Sequence, residues 1–195
     1  MSEAIEPGDC LGRKLLILGD VNTGKTTLAR AILQDFCRRG LGPRIAVLDL
    51  APHMSGQVAA QGGLRGVGGH LDAPPECGAL TIRERLEPPR LSSRTQAEAM
   101  RKAARNKALI EAGWRRAGLQ ARDILVINDV SMYLQAGSAD ELIARLAPAD
   151  TVIANGYFGE RLGGGELTRH ERAQMERLQA WFEHVGRAVT LTTRF

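Results

Sequence analysis

Apolar and polar positions along this chain fall into two alternating rhythms. Short, nearly solid apolar runs, too brief for helices, read as buried strands at 13–19 (Arg-Lys-Leu-Leu-Ile-Leu-Gly), 44–50, 123–129 (Asp-Ile-Leu-Val-Ile-Asn-Asp), 151–154 and 188–192. Between them, apolar residues recur at helical spacing. Leu28, Ala31, Ile32 and Phe36 mark a helix over about 24–39, stopped by Gly40-Leu-Gly-Pro43. Ser93-Arg-Thr-Gln96 has capping-box spacing and opens an Ala- and Arg-rich helix to about Ala117. Ser138-Ala-Asp-Glu141 caps another to Leu146, and Thr168-Arg-His-Glu171 a further one to about Val185. The exception is 51–90, where Gly56, Gly62, Gly63, Gly66, Gly68, Gly69 and two Pro-Pro pairs leave no sustained period. A stretch this long in a compact domain is usually a lid or a binding segment, so it is expected on the substrate side. Strands alternating with helices predict an α/β fold of three layers: a mostly parallel five-stranded sheet with helices on both faces. One domain is expected over 1–195, with a Gly/Pro-rich irregular insertion at about 51–92.

The first predicted strand runs into Gly19-Asp-Val-Asn-Thr-Gly24-Lys25-Thr26, and a helix follows. This is the GxxxxGK[ST] pattern in the context it requires, the Walker A motif of a P-loop NTPase. Its chemistry is explicit. Glycines let the backbone curl so that amides surround phosphate oxygens, the helix N-terminus adds its positive dipole, Lys25 reaches the β- and γ-phosphates, and the Thr26 hydroxyl ligates Mg²⁺. Gly19, Asp20, Asn22, Thr23, Gly24, Lys25, Thr26 and Thr27 are therefore the expected nucleotide-binding residues. The chemistry also needs a carboxylate at the carboxyl end of a neighbouring strand. Asp49 and Asp129 both qualify, for the Mg²⁺ shell or for taking a proton from the attacking group. No guanine-reading NKxD follows a strand, since the corresponding strand continues into Asn155-Gly-Tyr-Phe158. Position 20 is Asp, not the Lys of the deviant, dimer-forming ATPases. ATP is the default nucleotide, with GTP as the alternative.

Composition adds less. The chain has 195 residues, 44% hydrophobic and 25% charged, in the range of one soluble globular domain. No apolar run approaches the ~20 residues of a membrane span, and Glu3 and Glu6 without an apolar segment argue against a secretory signal. A cytoplasmic location is expected, without membrane partners. Cys10, Cys37 and Cys77, odd in number and without CxxC spacing, read as free thiols. Charge is uneven: the formal net is +4, yet residues 81–122 hold eleven Lys and Arg against four Glu. Clustered cations favour a phosphate-rich partner, a nucleic acid or another phosphorylated acceptor, through counterion release. Arg101 and Arg105 share one helical face for it.

Taken together, the segments resemble the P-loop domain of the polynucleotide 5′-hydroxyl kinase family, which includes the RNA kinase of eukaryotic cleavage-and-polyadenylation and its archaeal relatives. The similarity covers roughly 13–175. Gly19-Asp-Val-Asn-Thr-Gly-Lys-Thr-Thr27 is similar to that family's Gly-x-x-Asp-x-Gly-Lys-Ser/Thr-Thr, and Asp49-Leu-Ala-Pro52 resembles its Asp-x-Asp-x-Gly-Gln strand end. Residues 124–129 followed by Gly137, Glu141, Leu142 and Ile143 resemble its acceptor-clasping segment. Gly163-Gly-Gly-Glu-Leu-Thr-Arg169-His-Glu-Arg172 resembles its Arg-bearing lid. The resemblance implies an Mg-dependent ATP phosphotransferase. Lys25 and Thr26 would hold nucleotide and metal, Asp49 would activate the 5′-hydroxyl and contribute to the Mg²⁺ site, and Arg169 and Arg172 would stabilise the transferring phosphoryl group. The pattern departs at Ala51, His53 and Met54, and at Ser131 and Met132, where the family has a base-stacking aromatic and only Tyr133 stands nearby.

Two other classes share the motif. One is a regulatory or metallochaperone-type NTPase that hydrolyses ATP or GTP to switch a protein partner. For it, His53, His70 and Cys77 are the candidate nickel or zinc ligands. The other is a nucleotide-binding module without turnover.

Overall fold

The computed structural model describes residues 5–54, 69–118, 122–162 and 164–192. Its centre is one sheet of β1 (Lys14–Gly19), β2 (Ile45–Asp49), β3 (Leu80–Arg83), β4 (Ile124–Asn128), β5 (Thr151–Tyr157) and β6 (Arg187–Leu191). The strand order is β3-β2-β4-β5-β1-β6 and every pairing is parallel. The helices are α1 (Lys25–Arg38), α2 (Pro89–Ser92), α3 (Gln96–Ala117), α4 (Ser131–Leu134), α5 (Ala139–Leu146) and α6 (Glu166–Val185).

Side chains of a strand point alternately to opposite faces, and both faces here are covered. Leu15, Ile17, Ile45, Val47, Ile124, Val126 and Ile153 face α1, which buries Ala29, Ile32, Leu33 and Phe36 against them. Leu16, Leu18, Ala46, Leu48, Leu125, Ile127, Val152 and Ala154 face the other way, onto Ile110 and Trp114 of α3 and Met175, Leu178 and Phe182 of α6. Burial on both faces explains why these strands read as solid apolar runs. Each fully buried Leu, Ile or Phe contributes about 1.5–3 kcal/mol.

The sheet has six strands, not the expected five, and none is antiparallel. The added strand is β3, at the edge beside β2, where only alternate residues are shielded. Four residues of half-shielded Leu-Thr-Ile-Arg present no apolar run, so the strand hid in the stretch expected to be irregular. That stretch also contains a 3₁₀ turn (Pro75–Cys77) and α2; residues 55–68, with Gly56, Gly62, Gly63, Gly66 and Gly68, lie outside the described residues.

Helix ends also differ in detail. The Ser138 capping box forms as expected, Ser138 Oγ accepting from Glu141 N and Glu141 Oε2 from Ser138 N. The cap of α3 is Thr95 and not Ser93, with Thr95 Oγ1 accepting from Glu98 N at 3.2 Å. Helix α6 begins at Glu166 behind Gly165, two residues before the expected Thr168 cap. Gly165 sits at φ 110, a value open to glycine, and so sets the entry.

Cys37 at the end of α1 is bonded to Cys77 in the turn before β3, which corrects the expectation of three free thiols; Cys10 alone is free, and buried. Forty positions separate the pair, so no local spacing could signal it. Among the described residues, no helix is long and apolar enough to cross a membrane.

Candidate functional site

An all-parallel sheet brings the carboxyl ends of its strands to one edge, where open α/β sheets bind ligands. Gly19, Asp49, Asn128 and Tyr157 all end there. Gly19 leaves β1 at φ 152, and a Cβ on it would stand 2.5 Å from Leu191 O and 2.6 Å from Thr23 Oγ1, so the turn requires glycine. Asn22 follows at φ 60 and Gly24 at φ 89, and α1 begins at Lys25 without a side-chain cap. Residues 21–27 form one wall of a cavity of about 320 Å³; Asn128, Asp129, Asn155 and Tyr157 from the strand ends face them.

Lys25 is the cation of this cavity. Its Nζ donates to Asp20 O and, at 3.5 Å, to Thr23 Oγ1. Burial pulls its pKa below the ordinary lysine value, while Asp129 and Asp20 pull it back up. A partly desolvated ammonium beside a helix N-terminus favours an anion there. Asp20 turns away, its carboxylate accepting from Val21 N at 2.6 Å and from Glu160 N at 3.4 Å. Neither Asp20 nor Gly19 lines the cavity. Both shape the loop instead.

The two candidate carboxylates separate cleanly. Asp49 is fully buried and engaged: Arg83 Nε donates to Oδ2 at 2.6 Å, His70 Nδ1 lies 2.8 Å from the same oxygen, and Asn128 Nδ2 donates to Oδ1 at 2.7 Å. It does not line the cavity. Asp129 does, one residue past β4 at φ 62, a left-handed conformation that is uncommon outside glycine and often found at functional positions. The Ser131 hydroxyl donates to its Oδ1. Burial raises the Asp129 pKa, against the opposing pull of Ser131, Lys25 and Arg90.

Asparagines join the two aspartates to the loop. Thr26 Oγ1 lies 3.3 Å from Asn128 Oδ1, and Asn155 Nδ2 donates to the same oxygen at 3.0 Å. Asn155 Oδ1 in turn accepts from Asp129 N at 3.1 Å. The β5 strand lies between β1 and β4, which is why Asn155 can bridge them. Neither asparagine was among the expected site residues, although a signal existed: each is a polar residue in a run of apolar ones, Ile-Leu-Val-Ile-Asn128 and Val-Ile-Ala-Asn155.

A buried ion pair stands beside Tyr157. Arg90 Nη2 donates to Glu171 Oε2 at 2.7 Å, and its guanidinium stands 5.7 Å from the Tyr157 ring centroid. Burial pushes the Glu171 carboxyl up to about 7, although Arg90 pulls it down. The arginines expected over the phosphates sit elsewhere. Arg169 is exposed on α6, and Arg172 donates to Gly159 O at 3.0 Å and stacks on Phe158; neither lines the cavity. Tyr133 is fully buried, 5.2 Å from Trp114.

Most cations of 81–122 are matched locally. Arg83 holds Asp49 and Asp72, Lys102 pairs with Glu98 at 3.0 Å, Arg105 with Glu87 at 3.4 Å and Lys107 with Glu141 at 3.0 Å. Arg116 pairs with Glu84, and Arg122 binds backbone carbonyls. The segment is therefore not one open basic surface.

Hard oxygen donors, the Thr26 hydroxyl with the Asn128 amide oxygen behind it, suit Mg²⁺ alongside phosphate oxygens. Softer sites do not assemble: among the described residues, no group of three His, Cys, Asp or Glu stands together to hold a metal. Cys77 is in the disulfide, and His53 and His70 share a small cavity with the Arg83 cation. Compared with models of known protein families and with curated proteins, the chain matches none.

Proposed function

We propose that this chain is an Mg-dependent, ATP-binding P-loop phosphotransferase, related in pattern to the polynucleotide 5′-hydroxyl kinases. The observation that carries this reading is the convergence of Lys25, Thr26 and Asp129 on one cavity at the carboxyl edge of a parallel sheet. In this reading the amides of residues 22–26 and the Lys25 ammonium bind the β- and γ-phosphates, and Thr26 holds Mg²⁺. The metal, when bound, withdraws charge from the phosphoryl oxygens. Asp129, and not Asp49, is the base: it faces the cavity, and its burial strengthens its hold on a proton. The acceptor oxygen bonds to the γ-phosphorus as the bond from that phosphorus to the β-bridging oxygen breaks; ADP leaves, and the acceptor's proton passes to Asp129. Asp49 acts through Asn128, holding that side chain against Thr26.

The test follows γ-³²P from ATP with Mg²⁺, alone and with 5′-hydroxyl oligonucleotides or phosphorylated small molecules, with Lys25→Ala as the blank. Label on an acceptor is expected. Free phosphate without a labelled acceptor would replace the phosphotransferase by a hydrolytic switch, and no ATP binding would remove both.

A further inference from the structure

A second and larger recess of about 670 Å³ adjoins the first. It lies between the α2–α3 junction and the segment leading into α6, and Leu162 lines both cavities. Its polar wall carries Arg90, Ser93, Arg94, Gln96, Arg161 and Thr168. Three guanidiniums thus meet in a space of small-molecule size.

Their state is unequal. Arg90 is committed to Glu171, but its Nε, like Ser93 Oγ, is buried without a hydrogen-bond partner among the described residues. Arg94 is exposed, and its side chain has no carboxylate partner among the described residues. Nearby Glu98 is taken by Lys102 and by the Arg94 backbone amide. Arg161 is 3.9 Å from Asp20 Oδ2 and stays largely exposed. Two long helices, α3 and α6, also begin here; α6 starts behind Gly165, which supplies no side-chain cap to its first amides. Arginine forks, helix N-termini and unpartnered donors are the groups that recognise a phosphate dianion.

We propose that this recess binds a small phosphomonoester that carries a free hydroxyl, the acceptor of the reaction above; the assignment of it as acceptor rests on the phosphotransferase reading. A nucleic-acid strand fits less well. The only large hydrophobic side chain exposed among the described residues is Val185, so none of those residues offers bases a fully exposed aromatic platform. The α3 cations Lys102, Arg105 and Lys107, which could follow a strand's backbone, are paired with glutamates.

Calorimetric titration of the full chain with UMP and with ribose 5-phosphate tests this, in wild type and in Lys25→Ala, which disables the nucleotide loop. One equivalent should bind both proteins. The exposed pair Arg94→Ser and Arg161→Ser together should weaken binding by about tenfold or more, the scale of one charge-assisted hydrogen bond. Loss of all binding in Lys25→Ala would overturn the proposal by placing the anion on the nucleotide loop, and unchanged affinity in the double variant would overturn it as well. A 5′-phosphorylated tetranucleotide binding more than tenfold tighter than UMP would overturn the small-molecule assignment. ATP titrated in parallel separates the two readings: phosphomonoester binding that depends on the arginines, without ATP binding, supports the site and removes only the phosphotransferase.

Discussion

Replacing Glu171 by Gln should change how stability depends on pH, and the size of the change can be worked out from the site. Glu171 is only 3% exposed, within reach of Arg90 and close enough to Asp129 to feel its charge. Burial wins over the arginine and raises the carboxyl from 4.5 to about 7. Between those values the native protein keeps a proton that the unfolded chain has released, so stability falls as pH rises, and the full loss is reached above about pH 7. A shift of that size corresponds to about 3 kcal/mol. Glutamine keeps an acceptor for Arg90 without the titration. Urea unfolding of both proteins from pH 4.5 to 8 should therefore show the wild type losing about 3 kcal/mol relative to Glu171→Gln across the range. Groups common to both proteins cancel in the difference. Arg90→Met should push the Glu171 titration higher still, followed directly by carboxyl NMR. Parallel stability curves, or a Glu171 that titrates near 4.5, would refute the dominance of burial at this pair.

Asp49→Ala should unfold about 3 kcal/mol more easily than wild type, because Arg83 and Asn128 lose a buried partner, and Asp49→Asn should lose clearly less; chemical denaturation reads both. Asp129→Asn should leave stability near wild type but lower kcat by about 100-fold or more, the usual contribution of a positioned base, in the γ-³²P assay. Retained turnover in Asp129→Asn with loss in a folded Asp49→Asn would return the base to Asp49. Reducing the Cys37–Cys77 bridge should lower stability by about 4 kcal/mol, the chain-entropy value for a loop of some forty residues, measured by denaturation with and without dithiothreitol. Gly42→Ala should cost at least about 1–3 kcal/mol in the same assay, since its Cβ would lie 1.5 Å from Cys77 O and backbone must move.

Legibility in the sequence followed the range of each interaction. The solid runs at β1, β2, β4 and β5 announced themselves because neighbours on both faces leave few polar residues in the strand, mainly those at the carboxyl edge that form the site, whereas edge strand β3 carries that demand only on alternate residues. The glycine-rich turn around Lys25 was equally plain, since its chemistry lies in contiguous residues. Arg169 and Arg172 show the opposite case. They lie where a lid pattern put them in the chain, yet α6 starts at Glu166 and turns Arg169 to solvent and Arg172 toward Gly159.

By itself, then, the sequence determined the alternation of strands and helices, the Ser138 cap and the glycine turn of residues 19–24 ahead of α1, because periods of two and 3.6 and the needs of a tight turn are local. Tertiary structure decided which aspartate faces the cavity, that Asn128 and Asn155 connect it to Thr26, that Cys37 meets Cys77, and that Arg90, Arg94 and Arg161 gather beside it. Those outcomes depend on β5 lying between β4 and β1 and on β3 pairing with β2. Strand order is a choice among long-range pairings that all satisfy the same local pattern, and packing of the whole chain makes that choice.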